Sequence, residues 1–176
     1  MRVIAGTLGG RSFASPRGHR THPMSDKVRG ALFNALGDIR GLTVLDAFAG
    51  SGALSFEAIS RGARSAMALD SDSAAQRAIA ENIRTLHLAS QVKLIKASAG
   101  AWLSTTDELF DVLLLDPPYD DLQSGLLLRL VERVKPGGMA VFSLPPDAAP
   151  ELSPDFQLIT TKDYGDAQLL FYRRVS

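Results

Sequence analysis

Four consecutive residues, Asp116-Pro117-Pro118-Tyr119, close the apolar run from Phe110 to Leu115 and hold the groups needed to activate a reluctant nitrogen. Two prolines fix φ and remove two backbone donors, which gives a stiff loop whose carbonyls can face a substrate. Asp116 supplies one acceptor, the Pro117 carbonyl a second, and Tyr119 a flat face. The lone pair of an exocyclic amine on a nucleobase is delocalised into the ring, so the amine is a poor nucleophile. Two acceptors aimed at its two hydrogens draw the nitrogen out of conjugation and orient the lone pair. An aromatic ring can stack on a base turned out of its helix. The plain alternative is a strand-ending turn that merely contains two prolines. The flanking Asp and Tyr, and a glycine turn upstream, count against it.

That upstream segment is Asp46-Ala47-Phe48-Ala49-Gly50-Ser51-Gly52. A strand that runs into Gly-x-Gly and then a helix brings backbone close to a ligand, where a Cβ would obstruct the approach. The helix start adds unpaired N–H groups and a positive dipole end, which suit a carboxylate. Asp70 follows Gly52 by 18 residues and ends the next predicted strand, where an acid can accept two hydrogen bonds from a ribose diol. Nicotinamide cofactors use the same layout but want a third glycine, and Ser55 stands in its place. S-adenosylmethionine has an adenosine and an amino-acid carboxylate but no pyrophosphate, so it can use the turn as it stands. Its sulfonium methyl is already an activated electrophile. In-line attack by the amine would need no metal, and most of the rate would come from positioning and preorganised electrostatics. Ser98, at the end of a further strand, is a weaker candidate for the adenine. Trp102 and His87 read as packing or surface residues.

The elements that must position these groups follow from periodicity. Leu42–Leu45, Ser65–Leu69, Val92–Ile95, Phe110–Leu115 and Met139–Ser143 read as strands, with Phe156–Thr161 and Gln168–Tyr172 closing the chain. Between them, helices are predicted over Ala53–Ser60, Ser73–Leu86 and around Leu122–Val134. In the second of these, Ile79, Ile83 and Leu86 share a face. Pro136-Gly137-Gly138 reads as a turn. Strand–helix alternation specifies an open, mainly parallel α/β sheet, in which ligands bind at the carboxyl ends of the strands. Ahead of it, Val3-Ile4 and Ser12-Phe13-Ala14 suggest a hairpin around Thr7-Leu8-Gly9-Gly10. Ser25 is a good N-cap for a helix through Leu36 whose stripe is Val28, Ala31, Leu32, Ala35 and Leu36. Gly30 weakens that helix by about 1 kcal/mol relative to alanine.

The chain has 176 residues and 45% apolar content, enough for one domain with a sizeable core and a short extension. The division falls near residue 40: a basic extension over 1–40 and a catalytic domain over 41–176. There is no cysteine, which excludes disulfides and thiolate metal sites and fits a cytoplasmic address. No stretch reads as a signal peptide or membrane span. Net charge is zero, yet residues 1–29 carry +5: Arg2, Arg11, Arg17, Arg20, Lys27 and Arg29 against Asp26. His19 and His22 lie in the same stretch. Such an arm is either a solvated surface or a phosphate-contacting one.

Taken together, these segments resemble the RsmD-type methyltransferases, which modify N2 of a guanine in bacterial small-subunit (16S) ribosomal RNA. The likeness runs through Arg2-Val3-Ile4-Ala5-Gly6, Gly10-Arg11, Ser25-Asp26-Lys27-Val28-Arg29 and Ala31-Leu32-Phe33-Asn34. It continues through Leu45 to Leu54, Glu57 to Ala63, Asp116-Pro117-Pro118-Tyr119 and Tyr164-Gly165-Asp166. The resemblance implies a Rossmann-like class I fold with a mainly parallel seven-stranded sheet, its last strand antiparallel. It implies S-adenosylmethionine as cofactor, S-adenosylhomocysteine as product, and no metal. Asp46, Phe48, Gly50, Ser51, Gly52, Asp70 and Ser98 would line the cofactor. Asp116, Pro117, Pro118 and Tyr119 would meet the base. Arg2, Arg11, Arg17, Arg20, His22 and Arg29 would meet ribosomal RNA, within a small-subunit assembly, on a monomeric enzyme. The family usually has Thr-Arg-Pro-Thr where Thr21-His22-Pro23-Met24 stands, Glu at Gly30, and commonly Asp at Ser98. Other readings are an adenine-N6 methyltransferase, a protein-glutamine methyltransferase, a catalytically silent RNA-binding protein and a nicotinamide oxidoreductase.

Overall fold

Phe110–Leu115 (β4) shows how the sheet is built: Val112 and Leu114 belong to one apolar cluster, Leu113 and Leu115 to the other. Side chains alternate across a strand, so a continuous apolar run demands cover on both faces. The structure is a computed structural model that describes residues 1–18 and 23–176. β4 pairs in parallel with Thr43–Asp46 (β1) on one side and Val134–Leu144 (β5) on the other. Ser65–Asp70 (β2) and Val92–Lys96 (β3) extend the parallel part. Ala167–Arg174 (β7) inserts antiparallel between β5 and Phe156–Tyr164 (β6), which gives the order β3-β2-β1-β4-β5-β7-β6. The seven strands, mostly parallel with the last antiparallel, are those the resemblance implied.

One face carries Asp26–Leu36 (α1), Ala53–Ser60 (α2) and Ser73–Thr85 (α3). The other carries Ala99–Leu103 (α4) and Ser124–Val131 (α5), with Trp102 packed 6.0 Å from Phe110, ring to ring. α4 has no counterpart in the sequence reading: five residues are too few to show a 3.6-residue period. It exists because Ser98 caps it, accepting from Ala101 N at 3.1 Å.

Three local expectations change. The predicted turn at Pro136-Gly137-Gly138 is contained within a longer β5, where the register with β4 jumps from Phe110↔Val134 to Val112↔Met139. These residues bulge out rather than precede the strand, and a Cβ on Gly138 would lie 2.6 Å from the Asp111 carbonyl. The N-terminal hairpin is present but short: around the bridge Arg2↔Ser12, Val3 N donates to the Arg11 carbonyl, Gly10 N to the Val3 carbonyl and Phe13 N to the Met1 carbonyl. The Ile4 and Ala5 amides donate instead to Glu57, at 2.8 and 3.1 Å. On α1 the predicted Ala35 is exposed, and the buried face is Arg29, Leu32 and Phe33. A stripe drawn from apolar residues could not include an arginine.

The first segment is part of the main core. Val3 and Phe13 are buried in the same cluster as Leu32, Phe33 and Phe56, with Phe13 edge-on to Phe56 at 5.3 Å. No helix among the described residues is long and apolar enough to cross a membrane.

Candidate active site

The glycine turn leaves the carboxyl end of β1 and enters α2 with Gly50 at φ 58° and Gly52 at φ 85°, both in the left-handed region. At Gly52 the structure gives a different reason for glycine from the expected ligand approach: a Cβ would sit 2.6 Å from the Phe56 ring. Asp70, at the end of β2, pins the turn by accepting from Gly50 N at 2.8 Å and from Asp72 N at 2.9 Å. Ser51 is buried, and its hydroxyl accepts from Ala53 N at 3.3 Å. Phe48 is half-buried against the cluster on the α4–α5 face. Ser98 is exposed, and its oxygen is engaged in capping α4.

Asp46 is buried at the base of the turn. Its Oδ2 accepts from Ser55 N at 3.2 Å and Ser55 Oγ at 2.8 Å, whereas Oδ1 has no partner. Ser55 thus has a positive role where the sequence offered only a missing glycine. Burial pushes the Asp46 carboxyl up to about 7; the Ser55 bonds oppose the rise, and the nearby charges of Asp116 and Asp70 add to it. Burial likewise pushes Asp116 up to about 6, partly offset by a hydrogen bond with the Ser143 hydroxyl. Three carboxylates therefore converge on the carboxyl ends of β1, β2 and β4.

Asp116-Pro117-Pro118-Tyr119 follows β4. The Pro118 carbonyl accepts from Asp121 N at 3.1 Å, which closes a turn and leaves Tyr119 39% exposed. The Tyr119 hydroxyl lies 3.1 Å from Ser143 Oγ near the end of β5. Burial raises the Tyr119 phenol, with the charges of Asp116 and Asp166 contributing in the same direction. Asp166 belongs to the two-residue turn between β6 and β7, so that hairpin reaches the same end of the sheet. Sequence reasoning missed Ser143, a buried polar residue in an apolar strand. Its position as the one hydroxyl at the tip of β5 was the available signal.

The arm divides. Arg2, Arg11 and Arg17 are exposed. Arg2 pairs with Asp26 at 3.3 Å, and Arg11 donates to the Thr85 carbonyl at the end of α3. Arg29 does not fit the expected RNA contact: its side chain is 0% exposed. Its guanidinium donates to the Arg2 carbonyl at 2.7 Å, to Asp26 at 3.0 Å and to the Met24 carbonyl at 3.4 Å. It also lies 4.0 Å from the buried Glu57. A cation so enclosed and internally paired is a strut. Arg20 and His22 lie outside the described residues.

A family profile described as "Conserved hypothetical protein 95" matches residues 1–173. The ribosomal RNA small subunit methyltransferase D of Escherichia coli is 32% identical over 139 residues, 78% of this chain and 68% of its own. Its Haemophilus influenzae namesake is 37% identical over 68% of this chain and 64% of its own. The chain belongs to the RsmD-type methyltransferase family. The E. coli structure of yhhF superposes with a TM-score of 0.89 at 26% identity, covering 100% of this chain and 98% of that one. The structure of SMU.776 complexed with S-adenosylhomocysteine shares the fold, with a TM-score of 0.69 at 15% identity over 84% of this chain and 48% of its own.

The residues fit the family's cofactor on their own geometry. The unpartnered Asp46 oxygen suits a cationic donor, and S-adenosylmethionine carries an ammonium. Among the described residues no group of three or more acidic or histidine side chains could hold a metal ion. Two departures from the family pattern gain a structural setting. Gly30 lies opposite Ile4, with 3.8 Å of room for a Cβ, and Met24 packs against the core beside Arg29.

Proposed function

We propose that this chain transfers a methyl group from S-adenosylmethionine to the exocyclic N2 of a guanine in small-subunit ribosomal RNA. The observation that carries the reading is that the glycine turn and the Asp-Pro-Pro-Tyr corner leave the carboxyl ends of the paired strands β1 and β4, where buried Asp46 lies close enough to Asp116 to feel its charge. The cofactor supplies an activated methyl carbon there. Asp46 takes the ammonium, the turn and the start of α2 take the carboxylate, and Asp70 takes the ribose diol. Phe48 and Ser98 flank the adenine.

Asp116 and the Pro117 carbonyl accept the two amine hydrogens, and Tyr119 stacks on the base. With the cofactor bound, the amine nitrogen would take its activated methyl group and would become cationic. Its proton passes to Asp116, whose raised basicity suits that duty, and then to solvent. Arg2, Arg11 and Arg17, with Arg20 and His22, lie along the extension over 1–40 that meets the RNA backbone, while 41–176 carries out the chemistry. The enzyme acts as a cytoplasmic monomer on a small-subunit assembly.

Labelled-methyl transfer onto unmodified small-subunit rRNA, naked and within subunits, followed by nucleoside mass spectrometry, tests the reading. N2-methylguanosine is expected. Label recovered as N6-methyladenosine, or found only on protein glutamine, would overturn it.

A further inference from the structure

Asn82, on α3, is buried, and its carboxamide is fully committed. Oδ1 accepts from Ala14 N at 2.9 Å, while Nδ2 donates to the Ala14 carbonyl at 2.8 Å and to the Ser51 carbonyl at 3.2 Å. A side-chain amide has two hydrogens and both are used. One planar group therefore joins the N-terminal arm to the middle of the glycine turn. A second, apolar route joins the same two segments. The Phe13 ring meets Phe56 edge-on at 5.3 Å, and the Phe56 ring is what a Cβ on Gly52 would strike.

We infer that Asn82 is a positioning residue through which the RNA-contacting arm sets the geometry of the cofactor turn, so that RNA and cofactor bind cooperatively. The inference rests on the proposed function for the identities of the two ligands. Ala14 lies just ahead of Pro16-Arg17, so anything that orders the arm there fixes the plane of the Asn82 amide. The amide plane in turn decides whether the Ser51 carbonyl keeps its donor. Loss of that donor frees a buried main-chain oxygen to turn, and the adjoining Gly50 and Gly52, both at positive φ, give the turn the freedom to follow. Linkage requires the effect to be reciprocal: RNA raises cofactor affinity by the factor by which the cofactor raises RNA affinity.

Calorimetric titration of S-adenosylmethionine, with and without saturating small-subunit rRNA, tests this. The wild-type protein is expected to bind the cofactor about fivefold or more tightly with RNA present. Asn82→Ala is expected to bind it more weakly and with the same affinity in both conditions. Ala14→Pro, which removes the N–H given to Oδ1 and fixes φ at that position, is expected to reduce the ratio and serves if Asn82→Ala does not fold. Ile83→Ala, which loosens the same helix without touching the amide, should keep the wild-type ratio. Wild-type binding of both ligands with no change in cofactor affinity overturns the inference while leaving the proposed function standing. So does a full ratio in Asn82→Ala or Ala14→Pro, or a lost ratio in Ile83→Ala. A wild-type protein that binds the cofactor but no RNA removes both.

Discussion

At the scale of single residues, two carboxyl groups decide how the site responds to pH. In the proposed reaction Asp116 must be ionised to take up the amine's proton, and burial lifts it to about 6. The rate should therefore fall as pH drops through about 6 and level off above about 7, which a kcat/KM profile from pH 5 to 8 measures. Asp116→Asn should lower kcat by about 10²–10³ with little change in cofactor affinity; a large loss of affinity would give the carboxylate another job. Asp46 bears on stability instead. Its folded value, about 7, lies above the 3.8 expected in an unfolded chain, so folding favours the protonated form. That contribution is fully present below about 4 and is lost as pH rises through about 7. Asn mimics the protonated acid. Asp46→Asn should flatten the loss of melting temperature between pH 5 and 8 in the cofactor-free protein and should weaken cofactor binding. An unchanged pH slope would mean that the acid is ionised at no cost.

At the scale of elements, two glycines that look alike in sequence behave in opposite ways. Gly30 sits within α1 at ordinary φ with space beside it. Gly30→Ala should raise stability by about 0.5–1 kcal/mol, read from urea midpoints. Gly52 caps α2 at φ 85° against the Phe56 ring. Gly52→Ala should cost more than about 1 kcal/mol and weaken cofactor binding as well. Stability that rose at Gly52 or fell at Gly30 would contradict the packing of both helices. Both hydrophobic periodicity and cap residues placed α1, α2 and α3 within a residue or so. They did not reveal α4, five residues begun by the Ser98 cap, nor the bulge in β5, where Pro and Gly are carried through the strand by tertiary pairing.

At the scale of the whole molecule, Glu57 joins the arm to the sheet-covering helices. It accepts from Ile4 N, Ala5 N and Arg61, and Arg29 lies 4.0 Å away, all in a region shielded from water. Ser60 repeats the pattern, with Thr7 N donating to its carbonyl at 2.8 Å and Leu8 N to its hydroxyl at 2.9 Å. A Cβ on Gly6 would fall on the Ser60 carbonyl, which leaves glycine as the fitting residue there. The arm is thus sewn to α2 and α3 by polar contacts and sealed by Val3 and Phe13. Glu57→Ala leaves a buried arginine short of charge and two amides without acceptors. It should cost about 3–5 kcal/mol in denaturant unfolding and should unfold the arm and the sheet in one transition. Two separate transitions would show the extension to be an independent unit.

What the sequence determined by itself was whatever depends on local pattern: the order of strands and helices, the glycine turn, the diproline corner, and the acids at strand ends. Each is written in neighbouring residues, whose periodicity and backbone restrictions act over a few positions. Only the tertiary structure decided which charges are available. Arg2 and Arg29 carry the same charge in the same basic stretch, yet Arg2 is exposed while Arg29 is enclosed because Glu57 and the Arg2 and Met24 carbonyls meet it across the fold. In the same way Ser55, Ser143 and Asn82 acquire roles only when Asp46, Tyr119 and Ser51 arrive from distant segments. Burial and long-range hydrogen bonding depend on chain closure, and no local pattern encodes which partner will be waiting.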